Sequence, residues 1–359
     1  MDELAPLRQR IDAIDDEILR LLNERAGVVL EVARVKHSRQ AQLHVPEREA
    51  AILKRLMESN PGPFPAAGLV GVFKEIISAS LSLEGPIRIT YLGPEATFTH
   101  LAARHYFGSG CTFLSRDSIP EIIATLEKGD ATYGVVPVEN STEGSVAQTL
   151  DAVAASELTV CGELIERIHH FLLSKERALE SVGTVYAHPQ SFAQCRGWLQ
   201  THLPNAHLTE MPSNAQAARR AAKEPRVAAI AGELAGDLYG LTTLAEHIED
   251  SATNQTRFWV LAREARPPTG EDKTSLLTSI KHESGSLFGM LKPFQQHGIN
   301  LTRIESRPSR QRPWEYLFFI DLEGHPSNPA VQATIDDLKA SCLWVRVLGA
   351  YPRAEGTPS

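Results

Sequence analysis

LAPLRQRIDAIDDEILRLLNERAGVVLEVARVK, residues 4–36, decides how the first part of this chain folds. Leu4, Leu7, Ile11, Ile14, Ile18, Leu21, Val28, Val32 and Val35 recur at spacings of three and four, with Arg25 in the slot between Leu21 and Val28 where an apolar residue is due. That rhythm predicts one long helix packed against other helices. Lys36 follows Arg25 by eleven residues, about 20° away around a helix of ~3.6 residues per turn. A buried charge is costly unless paired, so two cations turned toward the packing side predict a pocket for an anion inside a helical bundle. At ~1.5 Å per residue the helix would run roughly 50 Å, more than a module of this size covers alone. A second chain would cover the rest.

Outward from that helix, Pro46 and Pro65 stand where first-turn prolines open two further helices. The second carries Leu69, Val72, Phe73, Ile76, Ile77 and Leu83 on its apolar side, and Ser80 and Glu84 lie on that side too, one turn apart. At Pro86 the rhythm changes. Short apolar runs such as Ile87–Leu92, Tyr133–Val138, Thr184–Ala187, Val227–Ala231 and Phe258–Ala262 alternate with amphipathic stretches such as Ser118–Gly129 and Asn214–Glu224. The alternation predicts an α/β fold with a substantially parallel sheet, and its extent predicts two lobes with a cleft between them. Arg266–Gly270 reads as a linker. Beyond it, strand, helix, strand, strand, helix and strand over Thr274–Ala350 predict a ferredoxin-like βαββαβ unit. The chain therefore reads as multidomain α and α/β, with modules expected at 1–86, 87–265 and 272–352.

Of 359 residues, 42% are hydrophobic and 22% charged, the balance of a soluble globular protein. A net charge of −8 argues against nucleic acid as a partner. Cys111, Cys161, Cys195 and Cys342 are far apart and form no CxxC pair. Neither a zinc site nor a disulfide framework is expected, and a reducing cytoplasm is the natural compartment. Asp2, Glu3, Asp12, Asp15 and Asp16 make the N-terminal end acidic, unlike a signal or transit peptide. No apolar run reaches membrane-spanning length. No membrane partner, metal or cofactor is expected.

In the helical module the polar residues that stand out are Arg8, Arg25, Lys36, Glu49, Ser80 and Glu84. Singly, Arg8, Lys36 and Glu49 read as solvated surface charges. Arg25 inside the seam, with Ser80 and Glu84 on an apolar face, shifts the balance toward a pocket. The segments Leu7–Asp12, Leu22–Arg25, Val32–Lys36 and Pro46–Glu49 resemble the all-helical class of chorismate mutases, which are intertwined dimers of three-helix chains. The resemblance implies that Arg25, together with Arg8 from the partner chain, binds the two carboxylates of chorismate. It implies that Lys36 contacts the ether oxygen and a carboxylate, that Glu49 accepts from the ring hydroxyl, and that Ser80 assists. The rearrangement to prephenate needs no nucleophile. A site helps by holding a compact conformer and stabilising charge on the ether oxygen, and arginines suit carboxylates. Two positions depart from the family pattern. Glu84 stands where some members have Gln, so it must carry a proton to donate, and mutase activity is expected to fall as pH rises. Val45 stands where some members have Asp, so only its backbone N–H could bind substrate.

In the α/β module, Val136–Ser141 ends a strand ahead of Gly144. It reads equally as an anion site at a strand-to-helix turn and as ordinary capping by Asn140 or Ser141. Thr256-Arg257-Phe258 alone reads as a strand start. As a set, Gly93–Phe98, Val136–Ser141, His188-Pro189-Gln190, Ser213-Asn214-Ala215 and Thr256-Arg257-Phe258 occur in the order seen in prephenate dehydratases, and the resemblance spans residues 87–263. It implies a two-lobed, periplasmic-binding-protein-like fold. It also implies that Thr256 donates to the departing ring hydroxyl, that Arg257 pairs with a carboxylate, and that Asn140, Ser141 and Gln190 wall the cleft. His188 reads either as a general acid or as a packed or capping residue. The pair His169-His170 has no partners at metal-ligand spacing and reads as structural. Ala96 stands where the family commonly has Gly, which predicts a slight loop adjustment.

Residues 274–351 resemble an ACT domain of the kind joined to prephenate dehydratases. Gly285-Ser286-Leu287 stands for the family's Gly-Ala-Leu, and Glu305-Ser306-Arg307-Pro308 matches its second motif. Each alone would be a turn glycine or a strand end. Together they imply a phenylalanine site at a chain interface, with backbone N–H groups after Gly285 for the carboxylate and Asn300 as a further contact. As a whole the chain resembles bifunctional chorismate mutase–prephenate dehydratases of phenylalanine biosynthesis, acting on chorismate and prephenate, regulated by phenylalanine, and assembled as a homodimer or larger. Arogenate dehydration is one alternative. A non-catalytic amino-acid sensor is another, and the Thr256-Arg257 pair with the Arg25/Lys36 set argues against it.

Overall fold

The computed structural model describes residues 4–38, 46–309 and 315–354. Val45 falls outside them. The chain divides into two compact units, residues 1–88 with 104–112, and residues 89–103 with 113–359.

The first unit is built on three helices, α1 (Ala5–Ser38), α2 (Pro46–Glu58) and α3 (Ala66–Glu84). The long α1 matches the seam's prediction, but the seam is not what it buries. The face of α1 turned toward α3 carries Leu22, Arg25, Ala26, Val29, Ala33 and Lys36, all at least partly covered. The nine apolar seam residues from Leu4 to Val35 remain 43–57% exposed. Arg25 therefore sits beside the seam rather than within it. A seven-residue rhythm drifts around a helix of ~3.6 residues per turn, so one helix can present two apolar stripes. On α3, Ile77, Ser80, Leu81 and Glu84 are buried while Val72 and Leu83 are exposed.

The second unit begins with strands β1 (Arg88–Leu92), β2 (Thr112–Arg116), β3 (Tyr133–Asn140), β4 (Gly144–Ser145), β5 (Thr159–Arg167), β6 (Phe171–Ser174), β7 (Thr184–Ala187), β8 (His207–Glu210), β9 (Val227–Ala231), β10 (Thr242–Ala245) and β11 (Gln255–Ala262). They form two sheets, β2-β1-β3-β11-β5 with β4 beside β3, and β10-β6-β9-β7-β8. Both are mixed rather than mainly parallel. β11 runs antiparallel to both β3 and β5, and β6 antiparallel to β9. The cause is connectivity. The chain leaves the first lobe after β5, builds the second, and returns to place β11 between β3 and β5. The two crossings, residues 168–170 and 246–254, lie side by side, since Ile168 N–H bonds Asn254 O at 2.9 Å and Ile248 N–H bonds His170 O at 2.9 Å.

The C-terminal part has strands β12 (Asp272–Ser279), β13 (Leu301–Pro308), β14 (Tyr316–Glu323) and β15 (Trp344–Pro352) in the order β13-β14-β12-β15, with helices Ser286–Gln296 and Pro329–Ser341. This is the expected βαββαβ unit. Leu276, Ile320 and Leu322 pack on its helices, whereas Leu277, Phe319, Leu348 and Tyr351 join Val138, Leu150 and Trp259 in the core of the first lobe. β12 is buried on both faces. Gly349 makes the approach possible, because a Cβ there would meet Val160 O at 1.9 Å.

Candidate active sites

In the helical unit, four of the expected residues converge. The Arg25 guanidinium donates to Ser80 Oγ, which itself donates to Ile76 O at 2.6 Å. Lys36 Nζ meets Glu84 Oε2 at 2.6 Å. Ser80 and Glu84 are each 9% exposed and one turn apart on α3. Arg25 has no carboxylate partner among the described residues, so a half-covered cation faces only a hydroxyl, an arrangement that an incoming carboxylate completes. Glu49 on α2 lies near Cys111. Burial, and then the Glu49 carboxylate, push that thiol up to about 11. Arg8 is exposed on the first turns of α1. Seventeen residues separate it from Arg25, roughly 25 Å along a helix, so the two cannot serve one site within one chain.

In the second unit, the end of β3 and the start of β11 build a polar string. Register sets Asn140 opposite Thr256. Asn140 Nδ2 donates to Thr256 Oγ1 and to Asn254 Oδ1, both at 2.9 Å. Asn254 Nδ2 donates to Gln194 Oε1 at 3.2 Å, and His170 Nε2 lies 2.7 Å from the same oxygen. Asn140 Oδ1 accepts the backbone N–H groups of Thr142 and Glu143 at 3.0 and 3.2 Å, which locks its orientation. The Thr256 hydroxyl thus accepts one bond and has no acceptor of its own among the described residues, so its proton is available to a ligand. Burial holds the His170 imidazole below the ordinary histidine range. Its Nδ1 and Gln194 Nε2 are buried without partners among the described residues.

Other expected residues take different parts. Thr256 and Arg257 are adjacent on a strand and point to opposite faces. Arg257 bonds Glu163 and Asp321 at 2.7 and 2.5 Å, so the expectation of a cleft-facing carboxylate partner is not met. Ser141 Oγ is held between Thr253 O and Gln255 N–H at 3.1 and 2.9 Å, a brace for the turn. Gln190 makes no side-chain hydrogen bond among the described residues. His188 caps the helix Pro189–Gln194, its Nδ1 accepting Gln190 N–H at 3.3 Å. His169 does find partners: His169, His247 and Glu249 bring ligand-type atoms within 4.8 Å. His169 Nδ1 already bonds Glu249 Oε1 at 2.7 Å, and Glu249 Oε2 holds His170 N–H at 2.8 Å, so the carboxylate braces the crossing. Asn254, Gln194 and His170 were not expected at the site. Asn254 stands two residues before Thr256, and that polar approach to a buried strand was the available signal. Ala96 adopts φ +66, a left-handed conformation that favours glycine.

In the C-terminal unit, Gly285 has φ +85 and caps the helix that starts at Ser286. Leu287 is exposed. The second motif divides between faces. Glu305 pairs across from Phe319 on the face toward the first lobe, and Ser306 from Phe318 on the helix face. Arg307 binds Asp151 of the first lobe at 3.1 Å. Ser306–Pro308 lie at the sheet end from which the 280–285 loop leaves, because Ser279, Leu317 and Arg307 are level. Asn300 lies at the opposite end, its carbonyl accepting Glu323 N–H at 3.1 Å, so one chain does not bring it to Gly285.

Three family models match the chain: chorismate mutase type II over residues 7–85, prephenate dehydratase over 89–266 and the ACT domain over 274–340. A bifunctional chorismate mutase/prephenate dehydratase of Aquifex aeolicus is 45% identical over 358 residues, covering 99% of each chain. The protein of that description in Pseudomonas aeruginosa is 43% identical, covering 98% of each. Among solved structures, prephenate dehydratase from Arthrobacter aurescens in complex with L-Phe is 32% identical, with a TM-score of 0.70 over 76% of this chain and 92% of that one. A chain described as GqqA, a novel type of quorum quenching acylase, is 28% identical, with a TM-score of 0.70 over 75% of this chain and 98% of that one.

Proposed function

This chain belongs to the family of bifunctional chorismate mutase/prephenate dehydratases, and from that membership we propose how its residues divide the work. Residues 1–86 rearrange chorismate to prephenate, 87–265 convert prephenate to phenylpyruvate, and 272–352 bind phenylalanine.

For the first reaction, Arg25 takes one carboxylate of chorismate, replacing its bond to Ser80. Arg8 of a second chain takes the other. Lys36, held against Glu84, faces the ether oxygen, where negative charge develops as the C–O bond breaks and the new C–C bond forms. Glu49 and the Val45 N–H bind the ring side. The exposed apolar seam from Leu4 to Val35 supports a homodimer, since a contiguous apolar stripe of this length on a monomer calls for a partner.

For the second reaction, Thr256 donates its proton toward the ring hydroxyl. The carboxylate C–C bond breaks, its electron pair enters the ring as the C–O bond breaks, and the departing hydroxide takes up one proton. Prephenate and a proton become phenylpyruvate, carbon dioxide and water. A hydroxyl is a weak acid, and the bond it accepts from Asn140 strengthens it as a donor. That free donor position on Thr256 is the observation that carries this assignment. Gln190 and Asn140 line the cleft, and Ser141 braces Asn140's turn.

Phenylalanine at the turn after Gly285 inhibits the dehydratase, with Ser306 and Pro308 at the same sheet end and Asn300 supplied across an interface. The four free cysteines fit a reducing cytoplasm, and no helix among the described residues is long and apolar enough to cross a membrane. Assays of chorismate consumption and phenylpyruvate formation on the purified chain, with and without L-phenylalanine, test the whole assignment. Competition between prephenate and arogenate tests the substrate preference, with prephenate expected to win. Failure to consume chorismate, or to form phenylpyruvate from prephenate, would remove the corresponding module's role.

A further inference from the structure

A deeply buried ionic cluster of the second unit lies on the face of β11 opposite the Thr256 hydroxyl. Arg257 Nε and Nη2 reach Glu163 Oε2 at 2.7 and 2.6 Å. Its Nη1 bonds Asp321 Oδ2 at 2.5 Å, and Nη2 donates to Tyr351 Oη at 3.1 Å. Lys273 Nζ holds the other Glu163 oxygen at 2.9 Å. Ser275 Oγ lies 2.5 Å from both Asp321 Oδ1 and Tyr351 Oη. Arg303 joins through Glu139 Oε2 at 3.2 Å, which is itself 4.0 Å from Arg257 Nη1. Three cations (Arg257, Lys273, Arg303) thus meet three carboxylates (Glu139, Glu163, Asp321), and all four strands of the C-terminal sheet contribute.

Such a cluster is a poor way to add stability, because apolar side chains of the same volume hold an interface as well or better. What it does supply is register, since a charge displaced from its partner in a dry interior is strongly penalised. Burial alone would raise the Asp321 carboxyl, yet Arg257 and Arg303 hold it below its ordinary range. Arg257 is the immediate neighbour of Thr256 on β11. A slide of the C-terminal sheet against the first lobe therefore pulls, through Asp321 and Tyr351, on the strand that carries the Thr256 hydroxyl. The other ionic anchors between sheet and lobe described above are Lys273 on β12, which reaches Glu163 on β5, and Arg303 and Arg307 on β13; none of them bonds a residue of β11 other than through Arg257's own partners.

We propose that Arg257 is a positioning residue through which the C-terminal sheet sets the placement of Thr256, and that amino-acid occupancy of the C-terminal domain changes the dehydratase rate along this path. The inference rests on the reading of residues 272–352 as a phenylalanine-binding regulatory domain. A ligand moves such an equilibrium only through its different affinity for two arrangements, so the quantity to measure is coupling, not activity alone.

The test uses the full chain and two variants of the sheet side, Asp321→Asn and Tyr351→Phe. L-phenylalanine binding is followed by calorimetry, and dehydratase kcat and KM are measured with none and with saturating L-phenylalanine. Both variants are expected to bind L-phenylalanine within about threefold of the original, whereas inhibition falls about tenfold or more in Asp321→Asn and about threefold in Tyr351→Phe, within the usual range of coupling between sites. KM for prephenate is expected to hold, with the change in kcat. Damage that merely lowered the folded fraction would leave the ratio of rates with and without L-phenylalanine unchanged. Folded variants inhibited as strongly as the original overturn the inference alone. An original chain that ignores L-phenylalanine overturns the regulatory reading and the inference together. Should Asp321→Asn fail to fold, Tyr351→Phe, which loses one hydroxyl, decides the matter by the same ratio.

Discussion

The helical unit and the two-lobed unit place their chemistry differently. In the helical unit, Arg25, Lys36, Ser80 and Glu84 converge, while Arg8 stands roughly 25 Å away along α1 beside a stripe of exposed apolar side chains. In the two-lobed unit, residues 140, 170, 194, 254 and 256 are strung together within one chain. On the proposed reading the first site is finished by a second copy of the chain, whereas the second needs only its own sheets in register. Assembly should therefore switch one reaction without the other.

The largest expected effect breaks the second site alone. Thr256→Ala should lower the dehydratase about a thousandfold, in the range a positioned proton donor contributes, and leave chorismate consumption near normal. Loss of both activities in a folded variant would end the idea of two separate sites. Next in size is Ile14→Glu, which puts a charge into a stripe where Ile14 is 57% exposed in the single chain. Sedimentation should show the helical interface lost. Mutase activity should drop about a hundredfold, as expected when a charged, hydrogen-bonding partner to a carboxylate is removed, while the dehydratase is largely spared. Equal mutase activity in a dissociated protein would show that Arg8 has no part in the site.

Glu84→Gln has a smaller effect and sharpens the first site. Lys36 is paired with Glu84 at 2.6 Å. With substrate present, a carboxylate next to the ether oxygen opposes the developing charge, whereas an amide N–H donates to it. Glu84→Gln should therefore raise mutase kcat by less than about tenfold, the scale of one hydrogen bond. An unchanged kcat would remove Glu84 from the chemistry.

How much of this could be read beforehand follows the same division. The length of α1 and the three-helix plan were legible, because a period of three and four survives any tertiary context. Which stripe faces α3 was not, because the heptad seam and the Arg25–Ala33 face lie close together and only packing tells them apart. Thr256 was singled out through its motif, and the structure sets it opposite Asn140 at the start of β11; its role is the proposal made above. Arg257 was misread, although alternation along a strand already sends neighbours to opposite faces. Its partners Asp321 and Tyr351 lie 64 and 94 residues further on, and no local pattern links them. Asn254 and Gln194 escaped notice for a similar reason, since their role exists only once β11 has returned beside β3. His169 finds His247 and Glu249 only where two crossings meet.

The smallest expected effect lies at Ala96, and it tests whether the two-lobed site is as self-contained as the polar string implies. Ala96 is 3% exposed at φ +66, and its N–H bonds His100 Nδ1 at 3.1 Å. A left-handed conformation costs a residue with a Cβ roughly 1–2 kcal/mol, which Ala96→Gly would relieve. Against that, glycine gives the unfolded chain more freedom, about 0.4–1 kcal/mol, and the lost methyl gives up about 0.8 kcal/mol of burial. The terms oppose one another, so the denaturation midpoint should move by less than about 1 kcal/mol in stability. Dehydratase kcat should hold, because the segment meets the string through the edge-to-face contact of Phe98 with His170, ring centroids 5.7 Å apart, and Ala96 makes none of the string's hydrogen bonds. A large fall in kcat at unchanged stability would mean that the loop shapes the cleft itself, and that the second site extends well beyond the hydrogen bonds that now define it.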